Sequence, residues 1–354
     1  MQISSVHFLF TVFLIMLCLV IGLVIVVLIY NFIEYNKSSK NAAWSTIINR
    51  KISEVIVYAE DDLPEDPQFE AHIVKSPFRN LFLLKLVDSE KKFSGAAKIK
   101  IKELFKDYKL KKEAMGKLDQ KKAYLIARGI RELTVMDVMD AEPKIAAFLQ
   151  HSSRQVYQEA QYAMVRFEGF GGLQFLDTFP SRISEWQQLR MLLSISSLPE
   201  GSENDIKRRL GSENETVVIF TLKLIKKFQL LSLYPEVKAL LEHPSMEIRI
   251  RSVQTLMSLE NPETIPYLVS IYENQPDEVK LEMISAMKTS KDQCCTDLLK
   301  AELSEDHPSD IRVNAAQALF TLGHSAYLSE LKHQQDSSEE LIQIVKYALQ
   351  EKVC

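Results

Sequence analysis

One stretch of this sequence is written twice. Residues 242–259, EHPSMEIRIRSVQTLMSL, return in altered form as residues 305–322, EDHPSDIRVNAAQALFTL. Aligning Ile248 with Ile311 gives an offset of 63 residues, and an intermediate copy, VKLEMISAMKTS, lies near half that distance at residues 279–290. Seven copies recur at spacings of 30 to 34 residues, the earlier ones beginning at Lys121, Gln155, Glu185 and Thr216. A period of this length predicts an array of small helical units.

Within a period, an amphipathic helix is followed by a turn and a second short apolar segment. YPEVKALLE at residues 234–242 and ETIPYLVSIY at residues 263–272 are two of these second helices. A unit this short cannot bury its apolar face alone, but stacked units form a continuous core. Glycine is scarce, at 10 of 354 residues, and helix-forming residues are abundant. The sequence therefore predicts an all-α chain in which residues 119–354 form an α-solenoid.

The entries EHPSMEIRIRSV and DHPSDIRVNAAQAL, together with the second helices IPYLVSIY and PEVKALLE, resemble the HEAT-repeat family, including its PBS-lyase-like short form. The resemblance covers roughly residues 120–350 and implies a solenoid of HEAT-like helical pairs. It says little about chemistry, because one fold hosts many functions. Some HEAT-like proteins are lyases, and others are hydroxylases that depend on His-Glu metal pairs. This sequence contains no His-Glu dipeptide, so the resemblance does not carry that chemistry over.

The residues echoed between copies have plain structural tasks. Pro244 and Pro308 are expected to stop the preceding helix, because proline cannot continue one. Ser245 and Ser309 are expected to cap the helix that follows. These positions predict where one helical pair ends and the next begins.

Arg249 and Arg312 occupy equivalent places just after those turns. We expect their aliphatic stems to cover the seam between repeats while each guanidinium meets an acidic group of the neighbouring unit. Replacing either arginine should therefore reduce stability rather than activity.

Near the N-terminus, residues 8–33 form an apolar run of 26 residues without a charge. As a helix with a rise of about 1.5 Å per residue it spans about 39 Å, more than the roughly 30 Å hydrocarbon core of a bilayer. No second run of this length occurs in the sequence. We therefore predict a single transmembrane helix within an anchor of residues 1–35.

Charges beside the apolar run set its expected orientation. No lysine or arginine precedes it, whereas Lys37, Lys40, Arg50 and Lys51 follow it. Positive residues favour the cytoplasmic side of a membrane. The sequence thus predicts a protein of the bacterial inner (plasma) membrane, with its N-terminus outside and its C-terminal domain in the cytoplasm.

Residues 36–118 form a predicted juxtamembrane helical region. Residues 33–59 keep a helical pattern, either as an extension of the anchor or along the membrane interface. The proline- and acid-rich residues 59–70 predict a loop. Residues 91–122 hold 12 lysines against four acidic residues, a local charge of +8, whereas the chain from residue 236 onward totals −9. The two ends should therefore prefer different neighbours.

The lysine-rich window is a predicted contact surface. The candidate residues for contact with membrane lipid or a protein partner are Trp44, Lys98, Lys100, Lys102, Lys109, Lys111 and Lys112. Anionic headgroups, an acidic protein and plain solvent all fit a lysine-rich helical face. Nucleic acid is not expected as a partner, because aromatic residues are sparse in the window and the rest of the chain is acidic.

No catalytic constellation stands out. His243 and His307 occupy equivalent turns about two units apart, too far to share a metal, and the adjacent Cys294 and Cys295 fit thiol packing better than redox chemistry. We predict no enzyme activity, no cofactor and no small-molecule substrate.

The expected function is a membrane-tethered protein-interaction scaffold, because stacked repeats offer a long binding surface. Resemblance to bacterial single-pass HEAT proteins implies support of an inner-membrane assembly such as envelope machinery or an exopolysaccharide glycosyltransferase. The alternatives are a lipid-surface tether that uses the lysine-rich window, and a lyase-like HEAT enzyme or enzyme subunit.

Overall fold

The computed structural model of the protein describes residues 2–57, 66–334 and 338–350, with the backbone alone for residues 2–7 and 9. Every regular element in these ranges is a helix, which confirms the predicted all-α class. The chain divides into two compact units, Met1–Ala163 and Met164–Cys354, here called the N-terminal unit and the repeat unit. The domain boundaries expected at residues 35 and 118 stay predictions.

The first helix, α1 (Gln2–Val57), contains the apolar run. Its most apolar 18-residue window has a mean hydropathy of 3.6 and is not buried at all. Among the described residues this is the one helix whose length and composition would allow it to cross a membrane. Beyond residue 33 the helix continues, as predicted, and there buries Trp44, Ile48, Ile52 and Val55. Their spacing of three and four residues places them on one face.

The prediction of a loop at residues 59–70 is wrong for the last residues of that range. Residues 59–65 lie outside the described residues, but α2 (Pro67–Ile73) is helical from Pro67 onward. The Asp66 carboxylate accepts hydrogen bonds from the backbone N–H groups of Gln68 and Phe69, both at 3.1 Å. Proline is favoured at a first helical position. The Asp-Pro pair that indicated a loop therefore begins a helix.

An aromatic cluster forms the core of the N-terminal unit. Here the distal part of α1 and α2 pack with α3 (Ser76–Glu90) and α4 (Ala96–Asp107). Phe78 meets the rings of Trp44 and Phe69 edge to face, at centroid distances of 5.5 and 5.4 Å. Phe69 and Tyr108 each contact Phe82 in the same way. Edge-to-face pairs of this kind add to the stabilisation from burial, so the cluster joins the apolar helix firmly to the folded unit.

A close helix crossing completes this unit, between α5 (Lys111–Leu118) and α6 (Ala123–Val135). A Cβ atom on Gly129 would lie 2.8 Å from both the Ala114 carbonyl oxygen and the Lys117 Cβ, so glycine permits the approach. Lys117 donates to the buried Glu132 carboxylate, which also accepts from Arg128 at 2.8 Å. Burial outweighs this attraction and lowers the pKa of Lys117. The short helix α7 (Glu142–Ala146) follows, and the boundary between the two units falls within α8 (Arg154–Glu168).

The repeat unit is a row of helical pairs. The first helices of the pairs stack in chain order, and they are α9 (Glu185–Ser194), α11 (Glu215–Phe228), α13 (Met246–Ser258), α15 (Asp277–Ser290), α17 (Ser309–Thr321) and α19 (Glu339–Ala348). The second helices are α10 (Glu203–Leu210), α12 (Tyr234–Ala239), α14 (Thr264–Ile271), α16 (Thr296–Ala301) and α18 (Ser325–His333). One continuous cluster of buried apolar side chains runs through them. These pairs confirm the predicted α-solenoid.

The repeat spacing located the first helices well. Copies predicted to begin at Glu185, Thr216, Ile248, Val279 and Ile311 lie within two residues of the observed starts of α9, α11, α13, α15 and α17. The stacked helix α19 was not among the predicted copies. It lacks the His-Pro-Ser entry and begins instead at Ser338, whose hydroxyl accepts from the backbone N–H of Leu341 at 3.3 Å.

The predicted serine caps are wrong in detail. Ser245 holds the N-cap position of α13 but its hydroxyl makes no capping hydrogen bond. Instead, His243 Nδ1 accepts from the Ser245 backbone N–H at 3.0 Å and fixes the turn around Pro244. At the second copy Pro308 is the N-cap residue and Ser309 is the first helical residue of α17. The His-Pro-Ser motif thus shapes the turns before these helices, as expected of a structural element. At the first copy the His243 ring, rather than the Ser245 hydroxyl, makes the hydrogen bond that fixes the turn.

The arginines of the two copies do cover seams between repeats, with different partners. Arg312 is 2% exposed and donates through Nη1 to Glu340 Oε2 at 2.9 Å, which confirms the predicted contact with an acid of the next unit. Arg249 is only half buried and donates through Nη1 to Gln275 Oε1 at 3.2 Å, so its predicted acidic partner is replaced by an amide. Its Nε also donates to the His243 carbonyl oxygen at 2.5 Å.

Candidate interaction surfaces

The structure places Trp44 in the core rather than on a surface. The indole is 6% exposed and lies within the aromatic cluster. Lys40 Nζ lies 4.6 Å from its ring centroid, a cation–π contact. The expectation that Trp44 contacts lipid or a partner does not fit this burial, because its spacing on the amphipathic part of α1 turns it towards α3.

Several of the six candidate lysines are ion-paired within the fold. Lys98 Nζ lies 2.7 Å from a carboxylate oxygen of Glu90. Lys102 pairs with Asp137 and Lys111 pairs with Asp140. Lys100 is half buried, and Lys109 and Lys112 are exposed. Since paired charges attract anions less, the excess positive charge of the window is smaller on the surface than the sequence count indicates.

The exposed lysines lie beside a cleft of about 680 Å³ in the N-terminal unit. Its edge is formed by Lys106, Lys109, Lys111 and Lys112, and its wall by Phe105, Met115, Met136, Val138 and Met139. Three of these lysines were predicted contact residues, whereas the apolar wall was not predicted. The signal was present as methionines at positions 115, 136 and 139, which flank the window and its neighbouring turn.

A second surface lies on α9, whose exposed face is apolar. Trp186, Leu189 and Leu193 are 68%, 44% and 72% exposed, and their spacing of three and four residues aligns them in one stripe. The same helix buries the polar residues Gln187 and Gln188. The buried side of the helix combines these amides with Met191, so a large part of its apolar surface lies outside the core and makes α9 a candidate interaction surface.

The buried glutamine is held by hydrogen bonds that fix α9 in this orientation. Gln188 Nε2 donates to the Ile183 carbonyl oxygen at 3.1 Å, and its Oε1 accepts from Lys223 Nζ at 2.8 Å. Burial lowers the pKa of Lys223. A buried amide with its groups satisfied is stable, so the orientation that exposes the apolar stripe is specified by the sequence.

Cations line one side of the stripe. Lys227 Nζ donates to the carbonyl oxygens of Leu192 and Ile195 at 2.6 and 2.5 Å, and Arg251 lies 3.5 Å from Glu185. With Lys223 they place three positive side chains of α11 and α13 beside α9. Glu185 and Glu247 both pair with Arg251, so this flank carries charges of both signs, and the exposed apolar side chains are what a partner would have to match.

The described side chains offer little for catalysis. No group of three or more His, Cys, Asp or Glu residues among them is arranged to hold a metal ion. Burial raises the pKa values of the Cys294 and Cys295 thiols to about 11. Both thiols are therefore protonated near neutral pH, and the thiolate is the nucleophilic form of cysteine.

Comparison with known proteins yields structural likeness alone. No protein-family profile matches the chain, and no curated protein matches its sequence. Among solved structures, the Escherichia coli protein YibA has 16% identity and a TM-score of 0.41, covering 76% of this chain and 97% of its own. Human deoxyhypusine hydroxylase has 14% identity and a TM-score of 0.29, covering 79% and 97%.

A third similar structure is the complex of CpcE and CpcF of phycocyanin lyase from Nostoc sp. PCC7120. It has 12% identity and a TM-score of 0.25, covering 83% of this chain and 98% of that chain. Identities and scores this low do not transfer any activity to this protein. The chain is similar to HEAT-like helical proteins in fold.

Proposed function

We propose that this protein is a membrane-tethered scaffold whose repeat unit binds another protein through the apolar stripe of α9. The observation that carries the proposal is the exposed apolar stripe of α9, formed by Trp186, Leu189 and Leu193. Tryptophan is among the residues that dominate binding energy at protein interfaces. A solenoid presents such a helix on a rigid stack of neighbours.

The tether is α1, whose apolar part spans the membrane in this proposal. The positive residues Lys37, Lys40, Arg50 and Lys51 follow the apolar run, and they favour a cytoplasmic repeat unit and an external N-terminus. The membrane would be the bacterial inner membrane. A reporter enzyme that works only in the cytoplasm should be active when it is fused to the C-terminus. If a reporter that works only outside the cytoplasm is active there instead, the orientation is contradicted.

The partner that we propose belongs to an inner-membrane assembly, such as a membrane glycosyltransferase of envelope or exopolysaccharide synthesis. The stripe's chemistry calls for a partner segment with apolar side chains, because three large apolar side chains of α9 are exposed. A tether that grips the lipid surface with the lysine-rich window has less support, since Lys98, Lys102 and Lys111 already have acidic partners.

Site-specific photo-crosslinking in native membranes tests the scaffold. A benzophenone amino acid placed at Leu193 should form a discrete product with one protein, identified by mass spectrometry. The matched control is the same amino acid at Leu231, which is 54% exposed and apolar but lies outside α9. Position 231 should give no such product.

The variant Trp186→Ala should remove most of the crosslink from position 193. Losing an interface tryptophan typically costs at least about 2 kcal/mol, or roughly 30-fold in affinity. The exposed indole contributes little to folding, so the variant should retain its helix content. No discrete product, or a product that Trp186→Ala leaves unchanged, would contradict the scaffold. A glycosyltransferase among the products would support the narrower proposal.

A further inference from the structure

We infer that the cleft beside α4 and α5 binds an anionic amphiphile, a molecule with a phosphate or carboxylate head and an aliphatic tail. This inference is independent of the α9 surface, since the cleft lies wholly within the N-terminal unit. Its volume of about 680 Å³ falls within the roughly 300–1,000 Å³ of small-molecule sites.

The wall of the cleft suits an aliphatic tail. Phe105 and Met136 are almost fully buried beneath it, whereas Met139 is 51% exposed at its mouth. Methionine is unbranched and polarizable, so several methionines can adapt to a flexible chain. A wall of this kind gains from covering apolar surface, and it offers few groups to a fully polar ligand.

The edge of the cleft suits an anionic head. Lys106, Lys109 and Lys112 are exposed and form no ion pair with the described residues, whereas Asp137 and Asp140 are paired with Lys102 and Lys111. Three free ammonium groups therefore remain beside an apolar wall. An uncharged aliphatic ligand would form no ion pair with these lysines, and an inorganic anion would leave the apolar wall exposed to water.

The shape of the cleft favours an amphiphile over an acidic helix of a partner protein. Its wall is assembled from residues of α4 and α5 and from the turn after α6, with left-handed residues at Lys109 and Asp137, φ 50° and 52°, beside it. A docked helix needs anchors repeated along several turns of a groove. The apolar lining here comes from five residues of three chain segments rather than from positions repeated along one groove.

Photolabelling of the full-length protein in phosphatidylcholine vesicles tests the inference. The probe is a 16-carbon alkyl phosphate with a diazirine in its chain, and the control probe is the uncharged alcohol of the same chain. Both probes should label the apolar part of α1. The alkyl phosphate should label the peptide that contains Met136 and Met139 at least about fivefold more than the alcohol, because exposed charge contacts favour the anionic head.

Two variants locate the site. Lys109→Gln with Lys112→Gln should reduce cleft labelling about fivefold, whereas Lys121→Gln with Lys122→Gln removes the same charge from exposed residues outside the cleft and should leave it unchanged. Met139→Glu places a negative charge at the mouth and should abolish the labelling. Unchanged hydrogen exchange in α6 confirms that each variant is folded.

A third probe distinguishes a ligand drawn from the bilayer from a free ligand. It is a photoactivatable phosphatidic acid with two chains, placed in the vesicles. Cleft labelling by this lipid supports a ligand drawn from the bilayer, and labelling by the alkyl phosphate alone supports a free amphiphile. Equal labelling by the alcohol and the alkyl phosphate overturns the inference. So does labelling confined to α1, or cleft labelling that persists in Met139→Glu.

Discussion

The two units of this protein are stabilised in different ways. The N-terminal unit depends on features that occur once in it, chiefly the aromatic cluster around Phe78 and the buried pair of Lys117 with Glu132. The repeat unit uses one seam many times with varied chemistry. Arg312 meets a carboxylate where Arg249 meets an amide. A residue that has no equivalent elsewhere in the fold should tolerate substitution less well than a residue of a repeated seam.

This difference predicts where a substitution should reduce stability most. In a stack of repeats each unit contacts its neighbours, so damage stays close to one seam. In a single core the same damage removes contacts that several helices share. We therefore expect larger effects from the unique features than from the seams, and the following four experiments test that order.

The largest effect is expected from Phe78→Ala. The ring is fully buried and contacts Trp44 and Phe69, so its removal leaves a cavity and should destabilise the N-terminal unit by about 3–5 kcal/mol. Hydrogen exchange of the full-length protein should show the loss in α3 and in the part of α1 beyond residue 44. Phe93→Ala, at a ring that is 42% exposed, is the control. Equal effects of the two variants would refute the unique role of the cluster.

The next effect is expected from Lys117→Met. Glu132 would lose one of its two cationic partners while remaining buried, which should destabilise the unit by about 3 kcal/mol. Adding Glu132→Leu should restore part of the loss, because a buried apolar pair avoids an uncompensated charge. Exchange of α5 and α6 amides measures both variants. A double variant no more stable than Lys117→Met would show that the charges are not the cause.

The seams should respond less and locally. Arg312→Ala removes a buried stem and a charged hydrogen bond, and should cost about 2 kcal/mol with faster exchange limited to α17 and α19. Arg249→Ala, at a half-buried residue with an amide partner, should cost about 1 kcal/mol around α13 and α15. Loss of protection throughout the repeat unit in either variant would contradict local seams.

The sequence predicted the solenoid because helical periodicity and a spacing near 31 residues report which faces are buried. That information does not specify partners. The pattern that predicted an acid beside Arg249 could not distinguish Gln275 from a glutamate, and the pairing of Lys102 with Asp137 joins residues 35 positions apart. Counting lysines therefore overestimated how much positive charge the lysine-rich window leaves free to attract an anion.

The candidate surfaces were missed for a related reason. Periodicity assigns apolar residues to the core, so Trp186, Leu189 and Leu193 are naturally predicted to be buried. Burial of Gln188 depends on Lys223 and on the Ile183 carbonyl, which only the folded stack brings close. Likewise, the cleft near Met139 combines segments separated by the whole of α6. Surfaces of this kind follow from tertiary contacts rather than from spacing.

The smallest effect is expected from pH at the Arg312 seam. Hydrogen bonds from Ser309 and Arg312, with the charge of the guanidinium, hold the pKa of Glu340 below its ordinary value of 4.5. A carboxyl with a depressed folded pKa stabilises the fold above its unfolded pKa and loses that contribution as pH falls through the folded pKa. Exchange of α19 amides, corrected for intrinsic rates, should therefore be unchanged down to about pH 5 and accelerate below pH 4.5.

The matched control for this titration is Glu340→Gln. Its amide oxygen can still accept from Arg312, and its amide N–H can donate to the Ser309 hydroxyl, but it cannot titrate, so its α19 amides should lack the acceleration below the ordinary carboxyl range. The neighbouring Asp310 and Glu339 remain ionisable in both proteins. An acceleration that persists in Glu340→Gln would assign the pH response to them and would remove the carboxylate from the account of this seam. Arg249, whose partner is an amide, should show no such response around α15 in either protein.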